Sequence, residues 1–436
     1  MSGDDTDRWL SLAAERYGTP AFVYFADRIE LRIAELRHQF GGRFALSFAV
    51  KSNPNPALLG WLESRIEHLD VSSAGELRLA VEAGWEPARI SFTGPGKRDG
   101  ELREAIAAEV GQIVVESLRE ARAIDAFARE AGRVQPVLVR IAPDRVPRGF
   151  GDQLAGKPTA FGIDLEDADP ALRQILALPG LSLTGLHIYS GTQCLKAEPL
   201  VENYRLFLAV FARLCERHGL EPTTLIFGAG LGVAYYDQDV PLDLAAVANG
   251  INPDLDALCR QPLFRRANLV LELGRYLVAE AGYFLTRVVS TKLSRGTRIA
   301  ICDGGMNNHL PASGHFGMVI RRNYTMHKLG GGGPAEKVDL VGPLCTSIDR
   351  LASGMALPPL AVGDIVAVHN SGAYGLTASP IHFISHAPPA ELMVIGEQIV
   401  DVSREFAPAP QATAMLPLLA RDLRRSSERN RARIAT

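Results

Sequence analysis

Over the first 280 residues, short apolar runs rich in β-branched and aromatic residues alternate with longer segments of mixed polarity. The longer segments, such as GELRLAVEAG and LREARAIDAFAREAG, carry apolar residues three and four positions apart, which is typical of helices with one buried face. Strands that alternate with helices predict βα units around a parallel sheet. The predicted strands are 43–50, 67–71, 89–92, 112–116, 135–141, 181–188, 223–227 and 268–273. Eight βα units favour a (β/α)8 TIM barrel, with an open doubly wound sheet as the alternative.

After about residue 280 this alternation stops. Segments such as YFLTRVVSTKL, TRIAICD, GDIVAVHN and AELMVIG are short and β-branched, and turns rich in Gly, Pro and Asp separate them. The pattern predicts an antiparallel β domain, built as a Greek-key-like barrel or sandwich. The strand-like TPAFVYF at 19–25 is expected to pair with that domain. The predicted domains are a barrel at 26–280, a β domain formed by 1–25 and 281–406, and a C-terminal tail at 407–436.

Composition and charge exclude several classes of protein. The chain has 436 residues, of which 47% are hydrophobic, so there is enough material for a large core. With 46 basic and 49 acidic residues, its net charge of −3 argues against a dedicated nucleic-acid binder. No apolar run approaches the roughly 18 residues of a membrane span. The acidic start, MSGDDTDRWL, lacks the apolar region of a signal peptide. We therefore expect a cytoplasmic enzyme, with a solvated or disordered tail that carries six Arg between 421 and 433.

The five cysteines are scattered, at positions 194, 215, 259, 302 and 345. Their odd number and the lack of a CxxC motif argue against a disulfide framework and against a zinc site. The sequence therefore predicts no bound metal.

Polar residues follow the carboxyl ends of the eight predicted strands. In a barrel these ends converge on one face, where active sites of this fold lie. Scattered surface residues would not select the same end of every strand, so this arrangement strengthens the barrel prediction. The residues, in strand order, are Lys51, Asp70 with Glu76, Thr93, Glu116, Arg140, His187, the glycine loop 228–232, and Glu272 with Arg275.

The loop GAGLG at 228–232 is a candidate phosphate site, because glycine lets backbone N–H groups approach an anion closely. Taken alone the signal is weak, since glycine-rich turns are common and the full GxGxxG fingerprint is absent. Its position after the seventh strand, with Arg275 after the eighth, matches the usual phosphate site of a barrel. An arginine can also direct two donors at one phosphate.

Three further residues complete a recognisable set. Lys51 follows a very apolar strand, and it is either an ordinary surface lysine or a Schiff-base lysine. Glu272 is either a salt-bridge partner or the group that keeps a pyridine nitrogen protonated. His187 is either a core histidine or a ring that stacks on a flat cofactor. A lysine, a phosphate loop, a carboxylate and a flat-ring partner together indicate pyridoxal 5′-phosphate (PLP).

These residues lie in motifs that resemble those of the fold-type III PLP-dependent decarboxylases, the diaminopimelate and ornithine decarboxylase family, which shares the alanine-racemase barrel. The resemblance extends from about residue 18 to about residue 400. Several motifs are weak individually, but their order is highly specific. The motifs are FAVKSNPNP (48–56), DVSSAGEL (70–77), FTGPGK (92–97), HIYSGTQ (187–193), GAGLG (228–232), ELGR (272–275), GPLCTSID (342–349) and GAYG (372–375).

The resemblance implies a role for each matching residue. Lys51 would form the Schiff base with PLP, and Glu272 would bind the pyridine nitrogen. Cys345 would reach the site across the interface of a homodimer and return a proton to the α-carbon after CO₂ leaves. The other implied cofactor-binding residues are Asp70, Glu76, Arg140, His187, Ser190, Gly228, Gly230, Gly232, Gly274, Arg275 and Tyr374. The implied activity is that of an amino acid decarboxylase, a carboxy-lyase.

Departures from the family pattern bear on the substrate. Diaminopimelate and ornithine decarboxylases carry an acidic residue directly after the motif cysteine, whereas this chain has Thr346. The segment DGGMNNHLPASGHFG (303–317) also lacks the arginine typical of diaminopimelate decarboxylases. An uncharged threonine does not supply the charge-assisted bond that a buried distal ammonium needs. Free lysine, ornithine and diaminopimelate are therefore disfavoured, although an acidic residue elsewhere could compensate.

The same segment, with IRRNY (320–324) and GPLCTSIDRLA, resembles a subgroup from biosynthetic and exosortase-associated gene clusters. One branch of that subgroup decarboxylates a glutamyl group tethered to an acyl carrier protein. The resemblance implies an acidic substrate of glutamyl or aspartyl type, carrier-bound, in natural product biosynthesis. Thr346, Asp349 and Arg321 are the candidate substrate contacts. Arg321, Arg322 and the Arg-rich tail are candidate docking cations for a carrier protein, with ordinary solvated charge as the alternative.

Two other functions remain as alternatives. A PLP-dependent racemase would share the barrel and the cofactor, but racemases lack the GPLCTSID cysteine. A non-catalytic homologue would have lost its cofactor residues, whereas Lys51, Glu272, Arg275 and Cys345 are all present. The sequence therefore favours a decarboxylase.

Overall fold

The structure, a computed structural model, describes residues 3–316 and 321–404. The chain begins with helix α1 (Gly3–Tyr17) and strand β1 (Ala21–Phe25). The sequence predicted the strand but not the helix. The predicted tail at 407–436 lies outside the described residues.

Eight parallel strands close into a barrel, which confirms the predicted fold and excludes the open doubly wound sheet. Their order around the barrel is β5-β4-β3-β2-β12-β11-β9-β6, and β6 pairs with β5 to close the ring. Each lies within two residues of its predicted bounds. The barrel strands are β2 (Ala45–Ala49), β3 (His68–Val71), β4 (Ile90–Phe92), β5 (Gln112–Val115), β6 (Gln135–Ala142), β9 (Leu181–Ile188), β11 (Thr224–Gly228) and β12 (Asn268–Leu273). Three two-residue strands, β7 (Asp152–Gln153), β8 (Ile163–Asp164) and β10 (Gly191–Thr192), lie in loops that follow β6 and β9.

Helices connect the strands of the barrel. Two of them begin with the same Ser-x-x-Glu signal, in which the Ser73 and Ser117 hydroxyls accept the backbone N–H of Glu76 and Glu120. Such a cap satisfies a donor that the first helical turn would otherwise leave unpaired. The helices are α2 (Ala26–Phe40), α3 (Pro56–Leu62), α4 (Ala74–Glu82), α5 (Asp99–Ala107), α6 (Leu118–Glu130), α7 (Ala168–Leu176), α8 (Ala197–His218), α9 (Leu244–Arg260) and α10 (Arg275–Val278).

An apolar layer fills the inside of the barrel. Val114, Leu138, Ile226 and Val270 come from four different strands, and each is at most 1% exposed. Side chains from alternate strands form such layers in barrels of this size. The polar residues at the carboxyl ends of the strands therefore stand above an apolar floor.

The remaining strands form a second, nine-stranded sheet together with β1. Its main path runs β17-β16-β14-β13-β1-β19-β20, and β18 pairs with both β13 and β15. The strands are β13 (Gly282–Ser294), β14 (Thr297–Cys302), β15 (Met326–Lys328), β16 (Glu336–Val341), β17 (Arg350–Leu357), β18 (Ile365–Val368), β19 (Ala390–Ile395) and β20 (Gln398–Asp401).

The prediction that this sheet is antiparallel needs a correction, because two of its pairings are parallel. Strand β1 pairs in parallel with β19, and β14 pairs in parallel with β16. Only strands joined by a tight turn are forced to be antiparallel. The strands in both parallel pairs are far apart in the sequence, so no such turn constrains them.

Helix α1 packs on this sheet through one side. Trp9, Leu10, Ala13 and Ala14 are buried against a cluster that includes Phe25. Strand β1 is buried at all five positions, which explains why its sequence is a continuous apolar run rather than an alternating one.

We propose the domain boundaries predicted above, since the barrel elements lie within 26–280. Among the described residues, no helix combines the length and the apolar character needed to cross a membrane.

Candidate active site

The carboxyl ends of the barrel strands surround a cavity that brings together several of the predicted site residues. Its lining includes Lys51, Glu272, Arg275 and Tyr374, with Gly230 of the glycine loop. These residues come from four separate places in the chain. Only the closed barrel and the second sheet together make them neighbours.

Lys51 stands at the mouth of the barrel, in a short 3₁₀ turn (Val50–Ser52) that follows β2. Its side chain is exposed to the cavity, and the Nζ atom lies 5.9 Å from the centre of the Tyr189 ring. Desolvation lowers the pKa of Lys51, but Tyr374, Asp70 and Glu272 outweigh that effect and raise the pKa above its ordinary value. The acidic surroundings therefore hold the amine as an ammonium ion, and a proton must leave before it acts as a nucleophile.

Glu272 is the ionised carboxylate of the site. It is buried at the end of β12, and its Oε2 atom lies 3.2 Å from Nε2 of the buried His187. Burial raises the pKa of Glu272, but the hydrogen bond and charge of His187, with Lys51 and Arg140, lower it further than burial raises it. A buried negative charge is thus available at the centre of the barrel.

The pKa of Asp70 is shifted in the opposite direction to that of Glu272. Its Oδ1 atom accepts hydrogen bonds from the hydroxyls of Ser91 and Thr93. Burial and repulsion by Glu272 raise the pKa of Asp70 well above its ordinary value. Two carboxyl groups whose pKa values are pushed apart are typical of acid–base sites. Within the described part of the chain, Oδ2 of Asp70 is buried without a hydrogen-bond partner.

Two further predicted residues support the rim of the site. The Oε2 atom of Glu76 accepts the backbone N–H of Ser72 at 2.6 Å, which fixes the turn after β3. Arg140 is buried, and its Nη1 atom lies 3.1 Å from Oε1 of Glu116. Glu116 also accepts the backbone N–H groups of Gly94 and Gly162, each at 2.9 Å. This ion pair therefore joins three loops at the barrel mouth.

The glycine loop is packed so closely that side chains would not fit. A Cβ atom on Gly228 would lie 2.3 Å from the Tyr189 ring, and one on Gly232 would lie 2.7 Å from the Cys194 carbonyl. Gly230 has a φ of +68°, and its Cβ would meet the Phe150 ring at 2.8 Å. Glycine is thus required at all three positions, as expected for a loop whose backbone approaches a ligand.

Arg275 and Tyr374 lie beside this loop. Nη1 of Arg275 donates to the Tyr235 hydroxyl at 3.0 Å, and its Cζ atom lies 4.8 Å from the centre of the Tyr374 ring. Desolvation lowers the pKa of Arg275, but Tyr235 and Tyr374 raise it overall. Tyr374 has a φ of +56° and its N–H donates to the Ser52 carbonyl at 2.7 Å, which ties it to the Lys51 turn. A Cβ atom on Gly274 would lie 3.3 Å from Cβ of Ser52.

The groups present fit PLP. Among the described residues, Nε of Arg275 is a buried donor without a partner, beside a loop of glycines, which suits a phosphate. Lys51 supplies the only kind of side chain that links covalently to the cofactor's aldehyde. The ionised Glu272 suits a protonated pyridine nitrogen. We therefore find the donor set that this cofactor requires.

The predicted position of Ser190 near the phosphate stays a prediction. Its hydroxyl is buried and donates to Oδ1 of Asn203 at 2.8 Å. Nδ2 of Asn203 has no partner among the described residues.

Cys345 does not join the cavity formed by its own chain. It lies in the loop between β16 and β17, its side chain is exposed, and the cavity around Lys51 is lined by other residues. Asp349 anchors this loop, because its two carboxylate oxygens accept the backbone N–H groups of Met306 at 2.7 Å and Leu344 at 2.8 Å. That arrangement favours a structural role for Asp349 over the predicted substrate contact. Thr346 is half-buried in the same loop.

The two candidate docking arginines have partners within the chain. Arg321 donates to the carbonyl of Arg350, and Arg322 forms an ion pair with Asp239 at 3.1 Å. The Arg322 guanidinium also stacks on the Tyr236 ring at 3.7 Å. Both side chains remain exposed. The roles of Arg321 in substrate binding and of both residues in docking stay predictions.

Sequence reasoning missed some residues that hold the site in shape. Tyr235 orients Arg275, and Tyr189 packs against Gly228. Tyr189 lies inside the motif HIYSGTQ, so its position was visible although its contact was not. No local pattern marks Tyr235, because its partner is 40 residues away.

Comparisons with known proteins identify the family to which the chain is similar. A family model described as the pyridoxal-binding domain of pyridoxal-dependent decarboxylases matches residues 26–279. The L-glutamyl-(BtrI acyl-carrier protein) decarboxylase of Niallia circulans is 33% identical over 88% of this chain and 90% of its own. The diaminopimelate decarboxylase of Pseudomonas aeruginosa is also 33% identical, over 91% of this chain and 92% of its own.

Solved structures show the same fold. Diaminopimelate decarboxylase from Helicobacter pylori, in complex with L-lysine, aligns with a TM-score of 0.79 and 26% identity over 91% of this chain and 96% of its own. SrLDC in complex with PLP and cadaverine aligns with a TM-score of 0.76 and 26% identity, over 96% of this chain and 97% of its own. The chain therefore belongs to the fold-type III pyridoxal-dependent decarboxylases and is a PLP-dependent carboxy-lyase.

Proposed function

We propose that the enzyme removes the α-carboxyl group of an acidic amino acid, of glutamyl or aspartyl type, tethered to an acyl carrier protein in a biosynthetic pathway. One observation carries the proposal: the loop that holds Cys345 offers no exposed carboxylate to a distal ammonium, because its one acidic residue, Asp349, is buried. Thr346 is uncharged, and both oxygens of Asp349 already accept backbone hydrogen bonds. A substrate with a second amino group would therefore lack an anionic partner in this loop. The carrier-protein decarboxylase among the relatives supports the same substrate class.

Each residue of the site has a separate role in this reaction. When bound, PLP supplies a sink for the electron pair that CO₂ leaves on the α-carbon. Lys51 would be the covalent attachment point, and the negative charge of Glu272 would keep the ring nitrogen protonated. Gly230 and Arg275 would hold the phosphate. Cys345 donates the proton that replaces the carboxyl group on the α-carbon.

A substrate panel tests this proposal. Glutamyl and aspartyl groups on a carrier protein should release CO₂ efficiently, while free diaminopimelate, ornithine and lysine should react at least about a hundredfold more slowly, since a buried unpaired charge is strongly unfavourable. The measurement is CO₂ release with mass spectrometry of the carrier. Free glutamate, which keeps the same α-carboxyl group, tests whether the carrier protein is needed. Efficient turnover of free diaminopimelate would overturn the proposal.

Decarboxylation of free diaminopimelate is the second candidate, because a relative with that name is equally similar at 33% identity. The position of Thr346 and the hydrogen bonds of Asp349 weigh against it.

Arg321, Arg322 and the tail remain our candidates for docking an acidic carrier protein, because the first two side chains are exposed. All five cysteines are free thiols, and we propose a cytoplasmic location, where thiols stay reduced.

We also propose that the enzyme is a homodimer and that Cys345 completes the site of the partner subunit. Its exposed position, away from the cavity of its own chain, supports this arrangement. Lys51→Ala and Cys345→Ala should each be inactive when pure. Refolding or co-expressing the two together should restore about a quarter of wild-type activity, because half of the dimers then contain one intact site.

The control for this experiment is the Cys259→Ala variant, which removes a cysteine on helix α9 instead of the loop thiol. In a mixture of Cys259→Ala with Lys51→Ala, the activity should be limited only by the fraction of subunits that keep Lys51. If the mixture of Lys51→Ala and Cys345→Ala stays inactive while dimers exchange, the two residues do not act across an interface.

A further inference from the structure

The segment Gly191–Cys194 runs along the glycine loop and pairs with its backbone. The N–H of Cys194 donates to the Gly230 carbonyl at 3.1 Å, and the N–H of Gly232 donates to the Cys194 carbonyl at 2.9 Å. On its other side, the segment pairs with β7 through Gly191 and Thr192. The loop is therefore held by a strand-like neighbour rather than by its own turn.

Gln193 adds a side-chain clamp to this backbone pairing. Its Nε2 atom donates to the Val233 carbonyl at 2.6 Å, and its Oε1 atom accepts the Val233 N–H at 3.0 Å. One amide thus satisfies both backbone groups of the residue directly after the loop, as a neighbouring strand would. Gln193 and Val233 are 40 residues apart in the sequence, and the Gln193 side chain is half-buried.

The backbone of Gln193 is in an unusual conformation. Its φ is +61°, in the left-handed region that residues other than glycine seldom occupy. Such a conformation persists only where the surroundings enforce it. Here it turns the side chain toward Val233 while Cys194 still pairs with Gly230. The side-chain hydrogen bonds of Gln193 and the backbone pairing of Cys194 therefore both depend on this backbone conformation.

We propose that Gln193 is a positioning residue that fixes the shape of the glycine loop and thereby strengthens the binding of the cofactor's phosphate group. The inference rests on the proposed placement of the phosphate at this loop. Three glycines within five residues give the loop a large conformational entropy when it is free. A loop already held in the bound shape loses less entropy when the anion arrives, so the anion binds more tightly. Gln193 itself touches no part of the cofactor in this proposal.

The experiment compares Gln193→Met with Gln135→Met in the full-length protein. Methionine has a similar length and lacks the two hydrogen bonds. Gln135, the first residue of β6, is the matched control. Its side chain is buried, and its amide donates hydrogen bonds to the backbone carbonyls of Val110 and Pro136. Binding of PLP and of pyridoxal, which lacks the phosphate, is measured by absorption titration after the cofactor has been removed. Thermal unfolding of each apoprotein reports on folding.

Gln193→Met should weaken PLP binding about tenfold or more and leave pyridoxal binding within about twofold. Its kcat at saturating PLP should stay close to wild type. Gln135→Met should leave the ratio of the two affinities unchanged. An equal loss for PLP and pyridoxal, or no loss for either, would overturn the role of Gln193. If Gln193→Met fails to fold, Gln193→Asn, whose amide is shorter and adds no charge, is measured with the same ratio of PLP affinity to pyridoxal affinity, and the same outcomes apply.

A reference variant separates this inference from the phosphate placement on which it rests. Arg275→Met should lower PLP affinity selectively if the phosphate lies at the glycine loop. A selective loss in Arg275→Met without one in Gln193→Met refutes the clamp alone. No selective loss in Arg275→Met refutes the phosphate placement, and the inference about Gln193 with it.

Discussion

Lys51→Ala should lose amine formation by roughly three orders of magnitude or more, together with the visible absorption band of the lysine-bound cofactor. The reason is that Lys51 is the amine at the mouth of the barrel that lines the cavity, with Asp70, Glu272 and Tyr374 holding its charge. No other group at this position can form the covalent link. Absorption spectra and CO₂ release measure the two losses independently.

Two further variants separate the amine from its charge. Lys51→Arg keeps a cation beside Glu272 but removes the nucleophilic amine, so it should be as inactive as Lys51→Ala. Lys292→Ala removes an exposed lysine on β13 and should behave as wild type. Borohydride reduction of the wild-type enzyme, followed by peptide mass spectrometry, should place the cofactor on Lys51. Attachment to a different lysine, or a surviving band in Lys51→Ala, would disprove the assignment.

Glu272→Gln should lower kcat by about 10²–10³-fold while PLP remains bound. The amide keeps the shape of the side chain but loses the charge that favours a protonated ring nitrogen. His187 also loses its anionic partner at 3.2 Å. Single-turnover rates at saturating PLP measure the effect. Glu397→Gln, in the exposed turn between β19 and β20, is the matched control and should leave kcat unchanged.

The coupling between Glu272 and Asp70 sharpens this test. Glu272 is one of the groups that raise the pKa of Asp70, so in Glu272→Gln the pKa of Asp70 should fall and part of the lost negative charge should return. The double variant Asp70→Asn/Glu272→Gln should therefore lose more activity than Glu272→Gln alone. A wild-type kcat in Glu272→Gln would remove this carboxylate from the reaction.

The sequence predicted the barrel because the alternation of apolar runs and amphipathic segments is a local signal. The location of the site followed, since strand ends such as Lys51, Asp70 and Glu272 must meet once the barrel closes. The sequence did not predict contacts between distant loops. The bond between Asp349 and the backbone of Met306 and the bond of Tyr235 to Arg275 depend on which loops become neighbours.

For the second sheet, the sequence predicted the strands but not how they pair. The pattern of short strands predicted a β domain, and the predicted strand at 19–25 does pair with it. It did not predict that β1 would lie parallel to β19, because the direction of a strand is a local property only within hairpins. Helix α1 was not predicted, although its acidic start favours a helix N-terminus and its buried residues Leu10, Ala13 and Ala14 have helical spacing.

The placement of β1 has a consequence for the order of folding during synthesis. This strand leaves the ribosome early, but its first pairing partner, β13, lies about 260 residues further on, and its other partner, β19, later still. At roughly 5–20 residues per second, the apolar segment Ala21–Phe25 waits on the order of tens of seconds without a partner. The last barrel strand ends at Leu273, shortly before β13 begins at Gly282, so for most of that interval an incomplete barrel carries an uncovered strand. Chaperones that bind extended apolar segments would recognise the nascent chain at that stage.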